Sequence, residues 1–142
     1  MLLGTYEHSV DVKGRAIMPS KLREDIGESF VITKGLDGCL FAFSKKEWAE
    51  FEQKLKSLPL TNKAARDSVR FFLAGAMECE IDKQGRFLIS NDLRNYAHLD
   101  KEIVIVGVIT RLEIWNREEW QKYNDRENST EDIEQTMSEL GI

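Results

Sequence analysis

Short apolar stretches separated by turn residues run through most of the chain, a pattern that predicts strands more often than long helices. β-Branched residues dominate Val31–Thr33 and Ile103–Val106, and each run is followed by a second apolar run, Cys39–Phe43 and Leu112–Trp115. β-Branched and aromatic residues favour the pleated surface of a sheet. We therefore expect two pairs of strands, the first joined by a turn at 35–38.

Helical signals lie between and after these strands, so the predicted fold class is α+β. Ser44 and Asn116 each precede a Glu by three residues, the spacing of a capping box at the start of a helix. Between the strand pairs, Asn62 precedes a helical pattern that ends at Gly75. The apolar residues of this linking helix recur at helical spacing: Ala65, Val69, Phe72 and Leu73.

The chain contains an internal repeat of about half its length, and a repeat decides how the fold is read. The segment 4–23 aligns with 75–94 at an offset of 71 residues, with seven identical pairs in twenty positions. After a change of one residue in the offset, 40–48 aligns with 112–120. The sequence therefore predicts two copies of one module in a single chain.

Each copy carries the pattern Asp-x-x-Gly-Arg. The residues are Asp11, Gly14 and Arg15 in the first copy and Asp82, Gly85 and Arg86 in the second. Asp at the first position and Gly at the fourth favour a type I turn, and Gly takes the left-handed conformation without a steric penalty. We expect this turn to join two short strands, after which Ser20 and Asn91 act as the N-caps of short helices.

The turn does not by itself explain the arginine. One interpretation is an ion pair between Arg15 or Arg86 and the turn Asp, which contributes about 0 to 1 kcal/mol when exposed. The other is that the two guanidinium groups bind a common target, because their planar forks suit phosphate groups and guanine edges. Further bases are close in the sequence: Lys13, Lys21, Arg23, Lys83 and Arg94.

Charge is unevenly distributed, so the net charge of −5 does not exclude an acidic partner. Residues 124–142 hold six acidic residues and one Arg, which leaves residues 1–123 at zero net charge. The local field over a patch decides binding, and here the acidity belongs to the tail.

Groups for catalysis or metal binding are scarce. The chain has two His and two Cys; His8 aligns with Cys79 in the repeat, but the repeat supplies no third or fourth equivalent ligand. No nucleophile motif or phosphate loop is present. We expect no catalytic residue, no metal, no cofactor and no small-molecule substrate. Cys39 and Cys79 are expected to be buried thiols in a cytoplasmic protein without a membrane span.

The two motif copies, with Leu22-Arg23 and Leu93-Arg94 after them, resemble the MraZ family of bacterial transcriptional regulators. The resemblance covers residues 1–123 and implies two SpoVT-AbrB-type modules, each a swapped-hairpin half of a pseudo-twofold β-barrel with peripheral helices. The corresponding partition is module 1 at 5–51, a linking helix at 52–75, module 2 at 76–123 and an acidic tail at 124–142. Ser90 departs from the motif, because the first copy has Pro19 there.

The resemblance also implies a function. Members bind double-stranded DNA at short promoter repeats upstream of the division and cell-wall gene cluster, as a ring-shaped homo-oligomer associated with the nucleoid. The motif places the DNA contacts on Arg15 and Arg86. A competing hypothesis is a non-enzymatic interaction module, antitoxin-like or a scaffold, that acts through its acidic tail.

Assembly is also expected from the supply of apolar residues. Phe71, Phe72 and Leu73 are consecutive and cannot share one helix face. With Val69, Phe72 and Leu73 assigned to the core of the barrel, Phe71 is predicted to point outward. Ile133, Met137 and Leu140 form a second stripe on a short helix after Ser129. Either these groups cover the ends of the barrel in one chain, or they pack between chains.

Overall fold

The computed structural model describes residues 1–127 and 129–142. This part of the chain contains eight strands and six helices. The strands are β1 (Leu2–Ser9), β2 (Arg15–Ile17), β3 (Ser29–Lys34), β4 (Leu40–Ser44), β5 (Met77–Glu80), β6 (Arg86–Leu88), β7 (Glu102–Ile109) and β8 (Leu112–Asn116). The helices are α1 (Ser20–Ile26), α2 (Lys45–Lys56), α3 (Lys63–Ala74), α4 (Asn91–Tyr96), α5 (Arg117–Glu127) and α6 (Thr130–Glu139).

The two halves of the chain exchange strands. Six strands form one antiparallel sheet in the order β1-β7-β8-β4-β3-β5, and β2 pairs with β6 in a separate two-stranded ribbon. The first strand of each half thus pairs with the third strand of the other half: β1 with β7, and β5 with β3. The first module is therefore not an independent domain.

The pairing follows the twofold relation that the repeat predicts. In the ribbon, Ala16 lies opposite Phe87, its own counterpart in the repeat. In the large sheet, Phe41 lies opposite its counterpart Glu113. Two strand pairs that each centre on equivalent residues indicate a pseudo-twofold axis through both sheets.

The mixed α+β class is confirmed, whereas the closed barrel is not. β1 and β5 are the two edges of the six-stranded sheet and do not pair with each other, so the sheet stays open. The chain leaves the large sheet at Asp11 and Asp82, where the turns direct β2 and β6 into the ribbon instead.

Two apolar clusters lie on the two faces of the large sheet. In the central strands β4, β7 and β8, alternate residues contribute to one cluster or the other, as the period of a strand requires. The first cluster includes Phe30, Ile103 and Leu112 and packs against the ribbon, α1 and α4. The second cluster packs against the helices α2, α3 and α5. The ribbon and this helical layer are consequently on opposite sides of the sheet.

The helix caps agree with the sequence patterns in four places and differ in two. Ser44, Asn62 and Ser129 accept bonds from backbone N–H groups at the starts of α2, α3 and α6, and Asn116 does so for α5. The caps of α1 and α4 are Pro19 and Ser90, one residue earlier than expected.

The prediction that Phe71 points outward is wrong. Its ring lies 5.9 Å from the ring of Tyr96, and Lys34 Nζ lies 5.7 Å from its centroid. Thr33 Oγ1 donates to the Phe72 carbonyl at 2.5 Å, which holds α3 against β3. In this orientation Phe72 enters the second cluster and Leu73, which had been assigned to the core, is 38% exposed.

Candidate nucleic-acid interface

The ribbon of β2 and β6 has one buried face and one open face. Ala16 and Phe87 each retain only 1% exposure and point into the first cluster. Their neighbours alternate to the opposite side, where Arg15 lies across from Leu88 and Arg86 across from Ile17. Ile17 and Leu88 are 44% and 49% exposed. We call this open surface the ribbon face: Arg15, Ile17, Arg86 and Leu88.

Both Asp-x-x-Gly-Arg turns are closed by hydrogen bonds to the aspartate that begins them. In the first, Asp11 Oδ1 accepts from the N–H groups of Lys13 and Arg15, each at 2.9 Å, and Gly14 N donates to the Asp11 carbonyl at 3.0 Å. The second turn repeats these bonds on Asp82. The Arg15 N–H bond is the main cause that lowers the pKa of the Asp11 carboxyl, and the Arg86 N–H bond does the same for Asp82.

The ion pair considered for the arginines is present, and it uses one donor of each side chain. Arg15 Nε lies 2.9 Å from Asp11 Oδ2, and Arg86 Nε lies 2.9 Å from Asp82 Oδ2. Arg86 Nη2 also donates to Gln84 at 3.0 Å. A guanidinium has five N–H donors, so terminal donors of both side chains remain available for a phosphate or a base edge.

Arg23 and Arg94 are held differently from the ribbon arginines. Each donates from Nε to a carbonyl of its own module, Arg23 to Met18 at 3.1 Å and Arg94 to Ile89 at 3.0 Å. Each guanidinium then lies against the turn of the other module. A Cβ on Gly14 would be 2.8 Å from Arg94 Cζ, and a Cβ on Gly85 would be closer still to Arg23.

These contacts give the Leu-Arg pair of the motif a structural role that sequence reasoning missed. Arg23 and Arg94 are half-buried, and they cross between modules to pack on the turns that carry the ribbon arginines. The signal was present in the sequence, because the Arg recurs at a fixed distance after the Gly. Their role as direct DNA contacts stays a prediction.

The three predicted lysines are exposed, but none of them has a basic residue as its counterpart in the other module. Lys13 has Gln84 as its counterpart, and Lys21 has Asp92. Lys83 in turn replaces Val12, which is fully exposed. The charge around the two turns therefore differs, although their backbone geometry is the same.

Ser90, the departure from the motif, leaves the start of its helix unchanged. Pro19 and Ser90 have similar backbone angles, φ −54° and ψ 133° against φ −59° and ψ 156°. Ser90 Oγ accepts from the Leu93 N–H at 3.3 Å, a bond that proline cannot make. The exchange replaces a residue with fixed φ by one that caps α4.

Both thiols are buried, as expected. Cys79 Sγ contacts the Leu88 carbonyl at 3.5 Å, and burial raises the pKa of this thiol to about 12. Burial likewise raises the pKa of Cys39.

His8 and Cys79 lie on β1 and β5, the opposite edges of the sheet. Among the described side chains, those of residues 1–125 and 129–142, no cluster of three acidic, His or Cys groups suits a metal ion, and none of the described helices is long and apolar enough to span a membrane.

Comparison with known proteins decides the family. The family model described as "MraZ protein, putative antitoxin-like" matches residues 1–71 and again residues 72–140. The chain belongs to the MraZ family. The resemblance inferred from the two motif copies is thereby confirmed, and so is the expectation that the chain is not an enzyme, since MraZ proteins are transcriptional regulators.

Curated MraZ proteins match over the full length of this chain. A protein of Caldicellulosiruptor saccharolyticus is 60% identical over 143 residues, with 100% of both chains covered. Proteins of Clostridium tetani and Thermoanaerobacter sp. strain X514 are 57% and 55% identical, again with 100% of both chains covered. All three carry the name "Transcriptional regulator MraZ".

Proposed function

We propose that the chain regulates transcription by binding double-stranded DNA through the ribbon face. The sites are short promoter repeats upstream of the division and cell-wall gene cluster, and the chain acts as a cytoplasmic homo-oligomer at the nucleoid. The observation that carries the proposal is the ribbon face itself, on which two equivalent arginines and two exposed apolar residues lie side by side.

The dimensions and chemistry of the ribbon suit the major groove, which admits a two-stranded β-ribbon. Arg15 and Arg86 are diagonal neighbours across the strand pair, a relation that places side chains roughly 7 to 8 Å apart. Their terminal N–H donors match guanine edges or phosphates, and Ile17 and Leu88 match thymine methyl groups. The exposed lysines of the turns add phosphate contacts: Lys13, Lys21 and Lys83.

Strand exchange supports the use of the two modules as one unit. The ribbon needs β2 from one module and β6 from the other, so neither half builds the interface alone. In this proposal the partition into 5–51, 52–75, 76–123 and 124–142 describes the repeat, and the swapped-hairpin relation brings both arginines to one surface.

Assembly of several copies would raise the affinity of this small interface for DNA. One ribbon makes only a few phosphate contacts, and such binding is weak and falls steeply with salt. Linked copies that occupy successive DNA repeats raise the apparent affinity about 10² to 10⁴-fold when the spacing matches. An oligomer is therefore part of the proposed mechanism.

The test is a titration against two duplexes of equal length and composition, one from the region upstream of the gene and one with that sequence shuffled. Fluorescence anisotropy at two salt concentrations measures both affinities. We expect a preference on the order of 10³ or more for the upstream duplex. Equal affinities would contradict sequence-specific binding, and absence of binding to both would favour the interaction module instead.

A further inference from the structure

The last helix presents an apolar stripe that nothing in the described chain covers. α6 is capped by Ser129, and Ile133, Met137 and Leu140 recur at i, i+4 and i+7 along one side. These three side chains are 50%, 39% and 68% exposed. Anchors at this spacing are the pattern by which an amphipathic helix enters a groove.

A groove that could accept such an apolar stripe is formed by α2, α3 and the loop that joins them. Its apolar lining includes Leu55 of α2, Val69 of α3, and Leu58 and Leu60 of the loop. Leu58 and Leu60 are 39% and 81% exposed. We call this surface the α2–α3 groove.

The charges of the two surfaces are complementary. Residues 129–142 contain four acidic residues and no Lys or Arg. The α2–α3 groove is bordered by Lys56, Arg66 and Arg70, and no acidic side chain lines it. Asp67 pairs with Arg70 at 3.2 Å and Arg66 donates to the Leu60 carbonyl at 3.0 Å, so Lys56 is the base least engaged by the described residues.

We infer that α6 of one copy docks in the α2–α3 groove of a second copy. Within one chain the stripe and the groove are both exposed, so the same chain does not supply the occupant. The contact is heterologous, because the α6 stripe of one copy meets a different surface, the α2–α3 groove, on the next copy. Repeated contacts of this kind close into a ring or grow into a filament. The groove belongs to the helical layer, on the side of the sheet away from the ribbon face, so docking leaves the DNA surface open.

This inference rests on the oligomer of the proposed function and supplies its interface. It is tested without DNA, by light scattering on full-length variants. One variant carries Ile133→Asp and Met137→Asp in α6, and the other carries Leu58→Asp and Leu60→Asp in the groove. Leu36→Asp is the matched control, because Leu36 is 54% exposed and lies outside both surfaces.

We expect the wild type and the control to have a mass several times 16.4 kDa, and each double variant to fall to 16.4 kDa. An equal mixture of the two double variants is expected to form a species of twice the chain mass, because one partner retains an intact groove and the other an intact α6. A monomeric wild type, unchanged masses, a loss of assembly in the control, or a mixture that stays monomeric would each overturn the inference.

DNA binding by the monomeric variants separates this inference from the proposed function. If the ribbon face binds DNA, both double variants keep a weak, salt-sensitive affinity for a duplex with a single repeat. If they assemble normally yet neither binds DNA, the interface inference and the DNA proposal both fail. Normal assembly with normal DNA binding refutes the interface alone.

Discussion

The contact between Arg23 and the turn of the other module predicts an unusually large cost for Gly85→Ala. Gly85 has φ +80°, a conformation that costs an L-residue about 1 to 2 kcal/mol. The new methyl group would also overlap the end of the Arg23 guanidinium, so this group must shift, and we expect the shift to break the 3.1 Å bond from Arg23 Nε to the Met18 carbonyl. Loss of a bond to a charged group adds about 1.5 to 3 kcal/mol.

Gly38→Ala separates these two contributions. Gly38 has nearly the same angle, φ +86°, but a Cβ there would meet nothing within 4 Å. We expect Gly38→Ala to cost about 1 to 2 kcal/mol and Gly85→Ala about 2.5 to 5 kcal/mol. In an Arg23→Ala background, the cost of Gly85→Ala should fall to that of Gly38→Ala, as a double-mutant cycle would show.

The assay is urea unfolding followed by the fluorescence of the three Trp residues. All variants are compared at one protein concentration, because association contributes to apparent stability. Equal costs for Gly85→Ala and Gly38→Ala would refute the crossing contact. A cost of Gly85→Ala that persists without the Arg23 side chain would refute it as well.

Two further predictions concern the helix cap and the turns. Ser90→Ala should lower the free energy of unfolding by about 1 kcal/mol, because α4 loses its cap; an unchanged urea midpoint would contradict this. The pKa values of Asp11 and Asp82 are lowered on folding, so their contribution to stability is present above the usual value of 3.8 and is lost as pH falls through the lower folded value. The urea midpoint of the Asp11→Asn and Asp82→Asn double variant should therefore decline less than that of the wild type below pH 3.8, and parallel curves would refute the linkage.

Local signals predicted the turns and most caps, because they depend on residues close in the sequence. Asp11 and Gly14 are three positions apart and need no distant partner to define a turn. The internal repeat also predicted that a pseudo-twofold axis relates the two modules. Exchange of strands between the halves was not readable from periodicity, since β1 pairs with β7 about a hundred residues later in the chain.

The orientation of the helices also depends on residues that are distant in the sequence. Three consecutive apolar residues permit more than one orientation of α3, and the choice depends on Thr33 and Tyr96, which belong to distant strands and helices. The candidate site divides in a similar way. The motif singled out Arg15 and Arg86, whose contact with DNA stays a prediction, whereas the packing of Arg23 on Gly85 required the fold.

The most direct test of the account is the salt dependence of DNA affinity for the wild type, Arg15→Ala and Arg86→Ala, with Lys46→Ala as a control of equal charge change. Lys46 is exposed on α2, on the other side of the sheet from the ribbon face. If the ribbon arginines bind phosphate, each substitution lowers the affinity and reduces the slope of log K against log salt by about one, while Lys46→Ala and the melting temperatures stay near wild type. Unchanged slopes, together with melting temperatures that fall as much as binding does, would show that the arginines serve only their ion pairs with Asp11 and Asp82.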